Sequence, residues 1–498
     1  MRLKGVARRL ALTTALAGCA LAAPASADTL QEALTEAYLH NPVLLAARAG
    51  QRATDENVVI EKTAGRPSVT GTSTYTEIVE GASANGPDRL LGVGVDLGVP
   101  IYSGGAVRNS IKAAKDRVEA GRADLRGTES AIFTQVVAAY MDVRRGQALV
   151  ALSANQVDVL GVNLQATSDR FEIGDLTRTD VAQSQSRLAL AEGDLRSAQA
   201  NLISARENYI ALVGEAPDDL QPPPPLPNLP EDVEQAVDVA LENNPDLIAA
   251  KERAEASAYD IEVAGSGRLP RVSVFAGYDY SNTLNSFRVR NSGTGQLETA
   301  PTQTSRDGQV GVQLRLPLFQ GGLPAALERQ AQARSEAALE QVIAAERDVI
   351  AQVRAAWSSW KASLAIIESS QVAVDAAALS LDGVKAENSI GNRTILDVLN
   401  AEQELLRSQV QLVTARRNAY VAGFSLLAAM GRAEARDLGL DGEGLLYDPV
   451  ANYDRVKGKL IDWESDSDPE PQATRTVDIP AATADVPEEG EFAPQTGY

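Results

Sequence analysis

A threonine followed three positions later by an aspartate occurs at two corresponding places in the sequence. These are Thr177 with Asp180 and, 217 positions further on, Thr394 with Asp397. The spacing is that of a capping box, in which both side chains bond backbone N–H groups at the start of a helix. Carboxylates also attract cations when several copies surround one axis, because their fields add. Capping and cation attraction are both open from the residues alone.

A glycine precedes each threonine–aspartate pair. Gly174 and Gly391 can each end a preceding helix in the left-handed conformation. Each copy therefore predicts a tight turn between two helices, and the repetition predicts two helical hairpins.

Enzyme chemistry is not indicated elsewhere in the sequence. It has one histidine, His40, and one cysteine, Cys19, which excludes Cys–His catalysis and multi-histidine metal sites. No Gly-x-Ser-x-Gly motif, metal-ligand cluster or phosphate loop is present, so neither an enzyme nor a cofactor is expected. The net charge of −21 argues against a nucleic-acid partner.

The first 27 residues predict an exported protein. Arg2, Lys4, Arg8 and Arg9 precede the apolar run 10–23 and an Ala-x-Ala site at 25–27, as in a secretory signal. An alternative is a lipoprotein signal in which Cys19 is acylated. After residue 28 no apolar run is judged long enough for a membrane helix.

The rest of the chain is an internal duplication followed by an acidic end. Pro100 to Gly105 matches Pro317 to Gly322, and Asn41-Pro42 matches Asn244-Pro245. The predicted units are a first repeat (28–214), a proline-rich linker (215–231), a second repeat (232–431), a C-terminal segment (432–463) and an acidic, disordered tail (464–498).

Each repeat predicts two strands and two long helices after a pair of short helices. The strands, about 67–79, 91–101, 270–282 and 310–318, show alternating apolar residues and the length of an outer-membrane strand. Heptad spacing with a small-residue stripe predicts coiled-coil helices, the first about 65 residues or roughly 100 Å long. The glycines at the strand–helix junctions let the chain change direction; they are Gly104, Gly105, Gly321 and Gly322.

Four strands cannot close a membrane barrel, since the smallest known barrels need about eight. The chain must therefore combine its strands with those of identical copies. A trimer supplies twelve strands and a dimer eight. The predicted fold is an α/β membrane channel, with four strands per chain in a β-barrel that continues as a long helical coiled-coil tunnel.

In this arrangement the sequence resembles the TolC family of outer-membrane channels over about residues 28–450. The residues that carry the resemblance are the two Asn-Pro pairs, the Pro-x-x-x-Gly-Gly motifs at 100–105 and 317–322, and Gly391-x-Arg393-Thr394-x-x-Asp397. The resemblance implies a homotrimer with a twelve-stranded barrel in the cell outer membrane and a twelve-helix tunnel extending into the periplasm.

The resemblance also implies roles for the helix turns. Asp397 corresponds to an aspartate of the family's periplasmic constriction, Asp180 is its copy, and Arg393 and Thr179 match residues that link the closed gate. Asn400 stands where the family has a second aspartate, which departs from the pattern. The turns at Gly174 and Gly391 are where the family contacts its adaptor.

The expected function is the exit channel of a tripartite efflux pump or a type I secretion system, gated at its periplasmic entrance. The implied partners are a periplasmic adaptor (membrane fusion) protein, an inner-membrane ABC or RND transporter and outer-membrane lipid. The alternative is a soluble periplasmic coiled-coil adaptor or scaffold, which would have no membrane strands.

Overall fold

A computed structural model describes residues 29–80, 86–440, 442 and 444–486. The predicted signal sequence, including Cys19, lies outside the described residues. Within them the two repeats have the same order of two short helices, a long β-hairpin and a long helical hairpin.

The first repeat begins with two helices joined at Asn41. Asn41 Oδ1 accepts a hydrogen bond from Val43 N (2.9 Å), and Asn41 Nδ2 donates to Leu212 O (2.9 Å), which fixes the helix pair to the end of the long hairpin. The elements of this repeat are α1 Leu30–His40, α2 Pro42–Thr63, β1 Ser68–Glu77, β2 Gly86–Pro87, β3 Arg89–Tyr102, α3 Ala106–Glu172 and α4 Arg178–Val213.

The second repeat uses the same joint. Asn244 Nδ2 donates to Ala429 O (2.9 Å) at the end of its long hairpin, as Asn41 does in the first repeat. The elements of this repeat are α5 Val233–Asn243, α6 Pro245–Gly265, β4 Arg271–Asn282, β5 Phe287–Arg290, β6 Leu297–Thr299, β7 Thr304–Arg315, α7 Leu323–Ser389 and α8 Ile395–Ala429. A short helix, α9 Pro449–Val456, follows.

The main sheet contains one hairpin from each repeat, in the antiparallel order β1-β3-β4-β7. Directly paired residues share a face, so one face is apolar across all four strands, and it is exposed. It carries Val69, Tyr75, Val93, Val95, Leu97, Tyr278, Val310, Val312 and Leu314. The opposite face carries glycines and polar residues, among them Asp96 and Asp279. β2, β5 and β6 form a small second sheet in the loops beyond the hairpins.

The core lies where the upper parts of the long hairpins meet the short helices. Phe133 and Tyr140 of α3, Tyr209 of α4 and Phe424 of α8 are buried there together. α6 packs against both α3 and α7 and so joins the two repeats. Gly146 of α3 faces Leu202 of α4, where an added Cβ would lie 3.0 Å from Leu202 Cδ1. The two helices therefore approach each other closely at this point.

β7 ends three residues earlier than the predicted strand 310–318. Its last residue, Arg315, pairs with Arg271, the first residue of β4. Pro270 precedes Arg271 and has no N–H to donate, so pairing stops there. β3 continues further because a register shift after Pro100 lets Tyr102 pair with Val272.

One expectation about apolar runs is wrong. An 18-residue window within α7 has a mean hydropathy of 1.4, with 11% of the window buried, and qualifies as a membrane span by length and composition. The whole helix has 67 residues, over three times the roughly 20 that cross a bilayer. The apolar window is thus a short part of a much longer helix.

The acidic end makes contacts that a fully disordered tail would lack. Arg206 of α4 donates hydrogen bonds to Thr483 O (2.5 Å) and Asp485 O (2.7 Å), and Ala482 N donates to Glu207 (2.8 Å). Residues 482–485 thus contact α4, although Arg206 Nε has no partner among the described residues. Residues 487–498 lie outside the described part.

Candidate functional site

The candidate site is the end of the two long helical hairpins, about 100 Å from the sheet by helix rise. The first turn joins α3 to α4. Gly174 has φ +82° and donates to Phe171 O (3.0 Å), and Asp175 N donates to Arg170 O (2.9 Å). These bonds satisfy the last carbonyls of α3, as a left-handed glycine at a helix end does.

The second turn joins α7 to α8 in the same way. Gly391 has φ +83° and donates to Asn388 O (3.0 Å). Asn388 Nδ2 in turn donates to Arg393 O (2.8 Å). Both turns leave an isoleucine exposed, Ile173 in the first and Ile390 in the second.

Both aspartates of the repeated pair form complete capping boxes. Asp180 Oδ2 accepts from Thr177 N (2.9 Å) and Thr177 Oγ1 (2.7 Å). Asp397 Oδ2 accepts from Thr394 N (3.0 Å) and Thr394 Oγ1 (2.8 Å). These hydrogen bonds from the threonine lower the pKa of each aspartate below its ordinary value of 3.8. Both carboxylates are therefore charged at neutral pH.

Arg393 lies in the second turn and is half-exposed. Its Nε donates to Glu387 Oε2 (2.7 Å), six residues earlier in the chain. This hydrogen bond is the main cause that raises the pKa of Arg393, and the charges of Glu387 and Asp397 add to it. Within the protomer, Arg393 thus bonds inside its own turn. Thr179 is exposed at the start of α4.

A polar network further up the hairpins was not anticipated from the sequence. Glu402 of α8 is only 3% exposed, and its two carboxylate oxygens accept from Asn163 Nδ2 of α3 (3.0 and 2.8 Å). Lys385 of α7 lies 3.3 Å from the same carboxylate. One buried carboxylate on α8 therefore contacts two other long helices, α3 and α7.

Asn400 belongs to a second link between the hairpins. Its Oδ1 accepts from Arg187 Nη2 of α4 (3.0 Å), and Arg187 Nη1 donates to Gln403 (3.2 Å). Asn400 thus connects α8 to α4. Leu160, Ala191 and Leu399 form a small apolar cluster beside these links.

The duplication explains why these links were missed. The positions 217 residues away from Asn163, Arg187, Glu402 and Lys385 hold Ser380, Glu404, Gln185 and Ser168. Neither link is repeated in the other half, so the internal comparison gives no signal for them. Among the described residues, no cluster of three or more His, Cys, Asp or Glu side chains could hold a metal.

At the other end of the hairpins, all four junction glycines have positive φ. Gly105 and Gly322 are the N-caps of α3 and α7, both with φ +85°, and Gly104 and Gly321 have φ +66° and +62°. An added Cβ at Gly104 would lie 2.8 Å from Leu269 Cβ. The turn from strand to helix therefore depends on glycine in both repeats.

Comparison with known proteins gives consistent results. The family model "Outer membrane efflux protein" matches residues 33–215 and 236–432, one match per repeat. The outer membrane efflux protein BepC of Brucella suis is 33% identical over 455 residues, which cover 90% of this chain and 95% of that protein. The outer membrane protein TolC of Vibrio cholerae is 26% identical, over 83% of this chain and 92% of that protein.

The fold is also that of solved outer-membrane channels. The CmeC channel of Campylobacter jejuni superimposes with a TM-score of 0.70 at 15% identity, over 86% of this chain and 89% of that one. The family match, the relatives and the shared fold agree with the membrane-length hairpins and the long helices described above. The chain therefore belongs to the outer membrane efflux protein family, the TolC-like channels, and is a protein of the outer membrane.

Proposed function

We propose that three copies of this chain form an exit channel for an efflux pump or a type I secretion system. The observation that carries the proposal is the four-stranded sheet, whose outer strands β1 and β7 each have an unpaired edge. An open sheet edge in lipid leaves backbone groups without partners, at several kcal/mol each. Three sheets joined edge to edge give twelve strands and leave no edge.

The two faces of the sheet fit the two sides of such a barrel. The apolar face, with Val312 70% exposed, suits lipid tails. The opposite face, with its glycines and Asp96 and Asp279, suits a water-filled lumen. The alternation along each strand is that of an outer-membrane barrel.

The long helices then extend the barrel into the periplasm. α7 exposes apolar side chains along its length, among them Leu339, Ile343, Val372 and Leu379. A single chain leaves these side chains in water, whereas helices of neighbouring copies would cover them. The resulting tunnel is roughly 100 Å long and needs no energy source of its own.

The helix turns form the gate of this tunnel. The capped aspartates, Asp180 and Asp397, place six carboxylates around the entrance of a trimer. Arg393, which is paired with Glu387 in its own turn, and the exposed Thr179 lie beside them. The buried carboxylate of Glu402 and the Arg187–Asn400 bond join the α7–α8 hairpin to the α3–α4 hairpin, and we expect them to hold the gate closed.

The exposed isoleucines beside Gly174 and Gly391 supply an apolar docking point for a periplasmic adaptor. Through the adaptor the channel connects to an inner-membrane ABC or RND transporter, which supplies the energy. The proposal covers both small drugs and unfolded polypeptides as cargo.

Two neighbouring substitutions on β7 test the channel. Val312→Lys places a charge on the proposed lipid face, at a cost of about 2–4 kcal/mol per chain near the bilayer centre. Gln313→Lys places the same charge on the lumen face. We expect Val312→Lys to abolish heat-modifiable trimers in outer-membrane fractions, and Gln313→Lys to assemble and to conduct in planar bilayers with altered ion selectivity. Equal assembly of both variants, or a soluble monomeric wild type as expected of an adaptor, contradicts the proposal.

A further inference from the structure

A cavity of about 360 Å³ lies where the C-terminal segment packs against α1, α2 and α3. It is far from both the sheet and the helix turns. Its charged and aromatic lining residues are Tyr38, Arg48, Arg122, Arg126, Glu129, Glu434, Arg436 and Tyr447. The volume is within the range of about 300–1,000 Å³ that is usual for small-molecule sites.

Arg48 is the most deeply buried of the four arginines that line this cavity. It is 7% exposed, and its guanidinium lies between the rings of Tyr38 (4.2 Å) and Tyr447 (5.2 Å). Arg48 Nη2 is buried and has no hydrogen-bond partner among the described residues. The two rings offset part of the cost of burying a cation, but a buried N–H of a guanidinium still requires an acceptor.

Two more donors of the same cavity are also without a partner in the described part of the chain. They are Tyr447 Oη and Arg122 Nε, both buried. The backbone of Tyr447 is fixed, because its N–H donates to Tyr38 Oη (2.9 Å). The groups of the cavity that have no partner among the described residues are therefore mainly hydrogen-bond donors, and they belong to α2, α3 and the C-terminal segment.

Both carboxylates of the cavity already accept hydrogen bonds from other lining residues. Glu434 accepts from Arg126 Nε (2.6 Å), and Glu129 accepts from Ala435 N (2.6 Å). Arg126 is paired with Glu434, and Arg122 is paired with Glu119 (2.6 Å), which does not line the cavity. Arg48 and Arg436 then remain with Glu129, so the cavity has excess positive charge. Burial raises the pKa of Glu129 to about 7. In mildly acidic conditions this carboxyl is therefore mostly neutral, and the excess positive charge of the cavity is larger.

We infer that this cavity binds a small oxyanion, whose oxygens accept hydrogen bonds from Arg48 and Tyr447 and whose charge offsets that of the buried guanidinium. Water molecules could accept the same hydrogen bonds, but they would not balance the charge. The anionic group is either that of an inorganic anion such as sulfate or phosphate, or the carboxylate of an organic acid. Because Arg48 belongs to α2 and Tyr447 to the C-terminal segment, the bound anion would fasten this segment to the first repeat.

The affinity is expected to depend on pH. The groups around Glu129 are Tyr38 of α1, Arg48 of α2, Arg126 of α3 and Glu434 of the C-terminal segment. When Glu129 loses its proton near pH 7, a negative charge appears beside the anion. Binding should therefore weaken between pH 6 and pH 8.

The test is calorimetric titration of the full-length protein in detergent at pH 6 and constant ionic strength, with sodium sulfate, sodium acetate and sodium chloride. We expect saturable binding of sulfate or acetate but not of chloride, and whichever of the two binds identifies the type of anion. Arg48→Gln should weaken binding at least tenfold, whereas Arg52→Gln, an exposed arginine one turn further along α2, should leave it unchanged.

Tyr447→Phe provides a milder variant if Arg48→Gln does not assemble, and it should weaken binding several-fold. Glu129→Gln should remove the weakening between pH 6 and pH 8. The inference is overturned if neither anion binds saturably, or if binding is equal in wild type, Arg48→Gln and Tyr447→Phe, which would indicate an adventitious ion only.

Discussion

Removal of the Glu402 side chain is expected to open the channel. Its carboxylate, on α8, accepts two contacts from Asn163 of α3 and lies 3.3 Å from Lys385 of α7. In the proposed gate, the helix turns open when α8 moves relative to α3. In Glu402→Ala the closed arrangement loses the polar contacts that connect these helices, and the open arrangement loses nothing.

The size of the effect follows from the burial of each partner. The amide of Asn163 is partly buried, and leaving it without an acceptor costs about 1–3 kcal/mol. Lys385 is half-exposed, so its ion pair contributes only about 0–1 kcal/mol. Together these contributions are about 1–4 kcal/mol per protomer, so if three protomers open together the closed state loses roughly 3–12 kcal/mol. Since about 1.4 kcal/mol is a factor of ten, the opening equilibrium should shift at least about a hundredfold.

Glu404 offers a matched control, because it lies on the same helix, carries the same charge and is exposed (68%). We expect Glu402→Ala to increase the open probability in planar bilayers and to sensitise cells to a large antibiotic, and Glu404→Ala to behave as wild type. Glu402→Gln keeps one acceptor for Asn163 and should have an intermediate effect. The reasoning is refuted if Glu402→Ala and Glu404→Ala conduct alike while both remain trimeric.

Three further predictions concern stability and charge. The pKa of Glu129 is raised from 4.5 to about 7, so the folded state favours the protonated carboxyl. About 3 kcal/mol of stability per chain is therefore lost as pH rises from 4.5 to about 7. Glu129→Gln should flatten the resulting fall in Tm between pH 5 and pH 8. Gly431→Ala should lower Tm more than Gly439→Ala, because both have positive φ but only at Gly431 would a Cβ collide with the backbone at the end of α5. Thr394→Val removes the hydroxyl that lowers the pKa of Asp397, so Asp397 should become protonated at a higher pH in the variant than in wild type. In bilayer recordings at decreasing pH, block by trivalent cations should therefore disappear at a higher pH in the variant.

The fold could be predicted from the sequence largely because the chain repeats itself. The Asn-Pro joints, the alternating strands and the Gly-Gly junctions each appear twice, and each depends on a short local pattern. The prediction that several chains close one barrel then follows because an open sheet edge in lipid leaves backbone groups without partners. The end of β7 was predicted less well, because the length of a strand depends on its partner, and β4 begins only after Pro270.

The links between hairpins could not be predicted in the same way. Glu402 and Asn163 are 239 positions apart, and on their own helices both look like ordinary polar surface residues. What buries Glu402 is the packing of α8 against α3, which depends on the whole hairpin. The positive cavity at Arg48 has the same origin, since its walls come from three helices and a segment some 400 residues away.

The geometry of the capped aspartates limits how the proposed gate can close. In both turns the two hydrogen bonds from threonine reach the same carboxylate oxygen, Oδ2. The other oxygen of each aspartate is left for water or a cation, so capping and cation attraction do not compete. The positive end of the helix dipole lies beside each carboxylate and weakens its field. With Asn400 bonded to Arg187 in place of a second aspartate, closure of this entrance would depend more on the contacts between hairpins than on a ring of charge.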